Sequence, residues 1–143
     1  MALPKPVPGL VIRYAFLWSQ DAERGLAEGK DRPSVVVLAT RRDGDQTIVT
    51  VAPITHSMPG DPAIGIELPA STKVRLGLDG DRSWVIVNEV NRFVWPGSDL
   101  RPVRAAGSGF SYGLLPTSLY FKVRDRMLAL AKAGSVRIGA RES

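Results

Sequence analysis

The chain has 143 residues, a formal net charge of +5, no cysteine and one histidine. That length fits a single domain with its own core. The missing cysteines exclude disulfides, thiolate nucleophiles and Cys-ligated zinc, the lone histidine argues against a catalytic zinc site, and the excess of Lys and Arg favours an anionic partner.

No apolar stretch approaches the length of a membrane helix, and the start, "MALPKPVPG", lacks the apolar middle region of a signal peptide, so a cytoplasmic protein is the expectation. Residues 1–9 read as a proline-rich leader, residues 10–134 as one domain, and residues 135–143 as a basic tail expected to fray. Eleven prolines and fourteen glycines imply many turns and a mainly β (α+β) chain.

In chain order, "LVIRYAFLW" predicts a strand with Leu10, Ile12, Tyr14, Phe16 and Trp18 on one face. "SQDAERGLAEGKD", from Ser19 to Asp31, reads as a long polar loop. Val35 to Leu38 is apolar without alternation, as in a strand covered on both faces. Asp43-Gly44 signals a tight hairpin. A two-residue turn there places Arg42 opposite Asp45, Val36 opposite Val51 and Arg32 opposite Thr55. Pro33 and Pro53 lack donors, so the ladder should open at that end. "AIGIELP" and "TKVRLGL" read as short strands, and Asp79 to Asp81 as a turn. Ser83 to Trp95 reads as strand, followed by a glycine- and serine-containing connector. "TSLYFKVRDRMLALAKAG" predicts an amphipathic helix with an apolar stripe of Leu119, Val123, Met127 and Leu130. Thr117 or Ser118 could cap its start and Gly134 its end.

Chemistry concentrates at the open end of the hairpin. Arg32 precedes Pro33 and is therefore biased to extended backbone, a rigid base for a guanidinium that could clamp a phosphate. The alternative is an edge arginine paired with Asp31 or Glu28. Thr55, His56 and Ser57 end the next strand. They could bind an oxyanion or steer a proton, or could be ordinary turn residues bonding their own backbone. His56 is the side chain that ordinarily titrates near neutrality. Glu89 and Arg92 lie in "VNEVNRFVW" on opposite faces. There is no phosphate-binding glycine loop, dinucleotide fingerprint or nucleophile elbow.

In their order, "AEGKDRPSVVVL", "VTVAPITHS" and "LLPTSLYFKVRDRMLAL" resemble the MazF/PemK (Kid) family of toxin endoribonucleases, over roughly residues 9–133. The resemblance implies an SH3-like small β-barrel with a C-terminal amphipathic helix. It also implies a two-fold homodimer, silenced by an acidic antitoxin, that cuts single-stranded RNA without metal or other cofactor. The family's paired catalytic positions map onto Arg32 and Thr55. His56 stands where Ser or Thr is more usual and is the best acid or base at hand. Glu28, Ser57, Glu89 and Arg92 are the expected flanking RNA contacts. A second arginine and an aspartate of some members align with Val87 and Glu89. The rival reading is a non-catalytic barrel that poisons a protein target, as the related CcdB toxins do, or a degenerate regulatory relative. Phe93 and Trp95 are expected as apolar surface to be covered by the second protomer.

Overall fold

The computed structural model describes residues 3–42, 44–103 and 109–141. β1 (Leu10–Phe16) keeps the expected alternation. Leu10, Ile12, Tyr14 and Phe16 are buried on one face with Trp18 against them, while Val11 enters the core on the other. It lies antiparallel to β2 (Lys30–Arg41), which lies antiparallel to β3 (Thr47–Thr55). The sheet continues antiparallel through β4 (Gly65–Glu67), β5 (Trp84–Ile86), β6 (Glu89–Val94), β7 (Leu100–Arg101) and β8 (Ser111–Leu114). β9 (Arg137–Ala140) joins β6 in parallel. The molecule is thus α+β, a mainly antiparallel sheet of nine strands among the described residues, and no pairing among them closes the sheet into a barrel.

The sheet is buried on both faces. Val35, Val37, Ala52 and Ile54 meet α2 (Ala70–Leu76) and α3 (Thr117–Lys132) through Leu76, Leu119 and Val123. Ile12, Tyr14, Val36, Val51 and Phe93 form the second core. The run Val35 to Val37 is covered on both sides as its sequence implies, but Leu38 is 49% exposed. A β-bulge between Val36 and Leu38 adds one residue to β2. The carbonyl of the bulged Val37 accepts the Tyr120 hydroxyl at 2.9 Å, which ties α3 to the irregularity.

The hairpin tip differs from a two-residue turn. The Arg42 N–H donates to the Gln46 carbonyl rather than facing Asp45, and Gly44 and Asp45 both take positive φ. The longer turn and the bulge offset one another, so Val36 still opposes Val51 and Ser34 opposes Pro53. Asp43, residues 104–108 of the connector, and residues 1–2 and 142–143 lie outside the described residues.

Five further expectations are corrected. The Ser19–Asp31 loop contains α1 (Ser19–Glu23), and β2 begins already at Lys30. Gly29 precedes that strand because a Cβ there would collide with the carbonyls of Ala15 and Phe16. "TKVRLGL" is not a strand but mostly α2, entered through Pro69 and closed by Gly77 at φ 69°. α3 spans the expected residues, yet Pro116 stands at its N-cap and no side chain caps it. The expected frayed tail is β9, held by Arg141 donating to Asp99 at 3.1 Å. Phe93 is not surface: it is 2% exposed and stacks on Tyr14 at 4.6 Å between ring centroids. With Phe93 buried, that strand no longer argues for a covered dimer face. No helix among the described residues is long and apolar enough to cross a membrane.

Candidate functional site

Proline chemistry opens the sheet where the site forms. The β2–β3 ladder ends at Ser34 and Pro53, and neither Pro33 nor Pro53 can donate. Beyond it the strands take other partners: Arg32 pairs with Tyr14 of β1, and Thr55 with Trp84 of β5. Between them lies a cleft of about 720 Å³, walled by Trp18, Lys30, Arg32, Thr55, His56, Glu89 and Arg137 among others. A recess of about 200 Å³ shares Lys30, Arg32, Thr55 and His56 with it and reaches Lys73, Asp79 and Ser83.

Arg32 is the most unusual group in the cleft. Its guanidinium carbon lies 5.3 Å from the centroid of the Trp18 ring, and its Nε is buried without a hydrogen-bond partner. No carboxylate pairs with it among the described residues, since Asp31 is engaged by Arg13 at 3.4 Å and Arg101 at 3.5 Å. Burial draws the guanidinium below its ordinary pKa, partly offset by the charge of Asp21. A half-buried cation with no counterion gains most from an incoming anion, because the anion restores the interactions that desolvation removed.

Trp18 is placed by a bidentate contact. The buried Asn91 side chain accepts the Leu17 N–H at 2.9 Å and donates to the Leu17 carbonyl at 3.0 Å, which fixes the corner between β1 and α1. Glu89 supports the same corner by accepting the Ser19 N–H. Glu89 lines the cleft as well, but one of its oxygens serves the fold.

At the other wall, the Thr55 hydroxyl accepts the Ser57 N–H at 3.2 Å, the local turn chemistry that Ser and Thr favour. Ser57 and His56 line the cleft beside it. His56 Nε2 stands 2.8 Å from Asp79 Oδ2. The far oxygen of Asp79 accepts Lys73 Nζ at 2.7 Å. The Lys73 side chain is only 6% exposed and also donates to Ser83 Oγ at 2.7 Å and to the Asp81 carbonyl. The Lys73 hydrogen bond is the main reason Asp79 titrates below the usual carboxylate range. His56, Asp79 and Asp81 also bring three potential ligand atoms within 4.8 Å of one another, all exposed. Lys73 already occupies one carboxylate oxygen of Asp79, which disfavours a divalent cation there.

Arg32, Thr55, His56, Ser57 and Glu89 therefore share one concavity. Glu28 is exposed and lines neither the cleft nor the recess. Arg92 is exposed opposite Thr50, on a separate shallow surface with Arg42 and Leu38. Sequence reasoning missed Trp18, Lys30, Lys73, Asp79 and Arg137 as parts of the site. The turn read at Asp79 to Asp81 was the only signal for Asp79, and it carried no hint of a partner.

No family model matches this chain and no curated protein matches it, so the assignment of the cleft rests on its own residues.

Proposed function

We propose that the cleft binds single-stranded RNA and cuts it, and that the chain is a metal-independent endoribonuclease of the MazF/PemK kind. The observation that carries this reading is Arg32: a half-buried, unpaired guanidinium over Trp18, across an open strand end from Thr55 and His56. Lys30 and Arg137 add positive charge along the walls for neighbouring phosphates. The half-buried Trp18 offers part of an aromatic face to a base.

The substrate supplies its own nucleophile. His56 takes the proton of a ribose 2′-hydroxyl, the 2′-oxygen forms a bond to the adjacent phosphorus, and the bond from phosphorus to the 5′-oxygen breaks. Water protonates the departing 5′-oxygen, and the imidazolium returns its proton to solvent. Arg32 stabilises the charge that builds on the phosphoryl oxygens, since a guanidinium cannot act as a base at neutral pH. The Thr55 hydroxyl orients one of those oxygens. The products are a 2′,3′-cyclic phosphate and a 5′-hydroxyl.

The proposed kinship extends to an SH3-like description of the sheet, a two-fold homodimer, an acidic antitoxin and a cytoplasmic location. Incubating the purified chain with single-stranded RNAs of varied sequence in EDTA tests the reading. Cleavage with cyclic-phosphate ends, and inert DNA of the same sequence, is the expected result. Binding without cutting would favour the non-catalytic alternative, and a requirement for magnesium would contradict the mechanism.

A further inference from the structure

Resting on that reading, we propose that Asp79 is the positioning residue for His56, and that Nδ1 is the nitrogen of His56 that exchanges the proton with RNA. Nε2 lies 2.8 Å from Asp79 Oδ2. At that separation a bare ring nitrogen and a carboxylate oxygen would oppose lone pair to lone pair, so Nε2 carries the hydrogen. In neutral His56 the free lone pair is then on Nδ1. The second nitrogen of a working histidine is commonly fixed in this way by a carboxylate.

Asp79 is itself held from behind. Lys73 Nζ contacts its other oxygen at 2.7 Å and is anchored by Ser83 Oγ and the Asp81 carbonyl. Lys73 is buried on α2, whereas the His56 and Asp79 side chains are 58% and 51% exposed. The buried lysine therefore gives an otherwise mobile surface pair a fixed base. Both oxygens of Asp79 are engaged, one by Lys73 and one by His56, which leaves it a poor direct ligand for RNA. Its role is to act through the imidazole.

Asp79→Asn tests this with little change of shape. The amide oxygen can keep Lys73, and the amide nitrogen then faces Nε2 with hydrogens of its own. His56 must move its proton to Nδ1, where it can no longer accept one from RNA. His56 is the single histidine, so its ring nitrogens give one set of ¹⁵N signals. At alkaline pH, where the imidazole is neutral, the wild type should show the proton on Nε2 and Asp79→Asn should show it on Nδ1. The same tautomer in both proteins would overturn the proposal whether or not RNA is cut. In the kinetic arm, Asp79→Asn should lower kcat by about 10²- to 10⁴-fold with little change in KM. It should add nothing further in a His56→Ala background. An equal loss in both backgrounds would mean that Asp79 serves only the fold. A reversed tautomer in a chain that cuts no RNA would leave the pairing standing and remove the nuclease reading.

Discussion

Arg32 and Trp18 form a cation–aromatic pair, 5.3 Å from guanidinium carbon to ring centroid, in which the arginine has no carboxylate partner among the described residues. The ring removes water from one face of the cation, and among the described residues the charge of Asp21, which forms no ion pair with it, offsets that loss only in part. Such a group is retained at a cost to the folded state, as functional groups commonly are.

Arg32→Met should therefore separate stability from function. Methionine keeps the contact with Trp18 and removes the desolvated charge. We expect a gain of about 0.5–1 kcal/mol in urea denaturation. RNA cleavage should fall by about 2–4 kcal/mol of transition-state stabilisation. A loss of stability with unchanged cleavage would show Arg32 to be structural.

Asn91→Ala should reach the cleft indirectly. It strands the Leu17 N–H and carbonyl, at about 1–3 kcal/mol for each group left unsatisfied. It also frees the corner that carries Trp18. Chemical denaturation should show the destabilisation. RNA affinity should weaken even under conditions where the variant is fully folded.

Asp79 gives stability a specific pH dependence. Its folded pKa lies below the ordinary value, chiefly through the Lys73 hydrogen bond. The unfolded chain therefore binds the proton more readily than the folded one. The contribution is present above the unfolded value, near about 4, and is lost as pH falls through the folded value. Wild type should be more stable than Asp79→Asn at neutral pH, and the difference should close on acidification below the aspartate range. A gap that persists there would assign the effect to something other than ionisation.

Binding of single-stranded RNA should weaken as salt rises, because Lys30, Arg32 and Arg137 displace counterions from phosphates. Arg137→Ala should lower affinity evenly across RNA sequences and reduce the slope of log K against log salt by about 1. Arg137 lies on β9, where it sits 3.8 Å from Glu23. An unchanged slope would place RNA elsewhere.

What could be read from the sequence was what local periodicity controls. The alternation from Leu10 to Trp18 and the stripe Leu119–Val123 both face the cores they imply. The two prolines opened the sheet where their missing donors said they would. "TKVRLGL" misled because Val74, Leu76 and Leu78 alternate like a strand. The helix buries Leu76 and leaves Val74 80% exposed, so that alternation was coincidental. β9 carries little apolar signal. It is held by parallel pairing to β6 and by Arg141 reaching Asp99, contacts that no local window contains.

The same limit applied to the site. Arg32 and Thr55 could be brought together by counting along one hairpin. The count holds as far as Ser34 opposite Pro53, because a bulge at Val37 offsets a longer turn; beyond that point Arg32 and Thr55 pair with β1 and β5 and meet only as walls of the cleft. Trp18 beneath Arg32 depends on Asn91, 74 residues from Leu17. Asp79 beside His56 depends on a buried lysine in a helix that read as a strand. Separation along the chain between residues that the fold brings into contact, rather than any weakness of residue chemistry, kept them out of reach.

The most direct measurement uses one RNA in two forms. After the cut site is mapped in an RNA that the wild-type chain cleaves in EDTA, the nucleotide 5′ to the broken bond is replaced by its 2′-deoxy counterpart. The account predicts that the substituted RNA binds with similar affinity and remains intact at that linkage, because the nucleophile has been removed and nothing else. Cleavage at the same linkage without the 2′-hydroxyl would contradict it, as would failure of the wild-type chain to cut any single-stranded RNA.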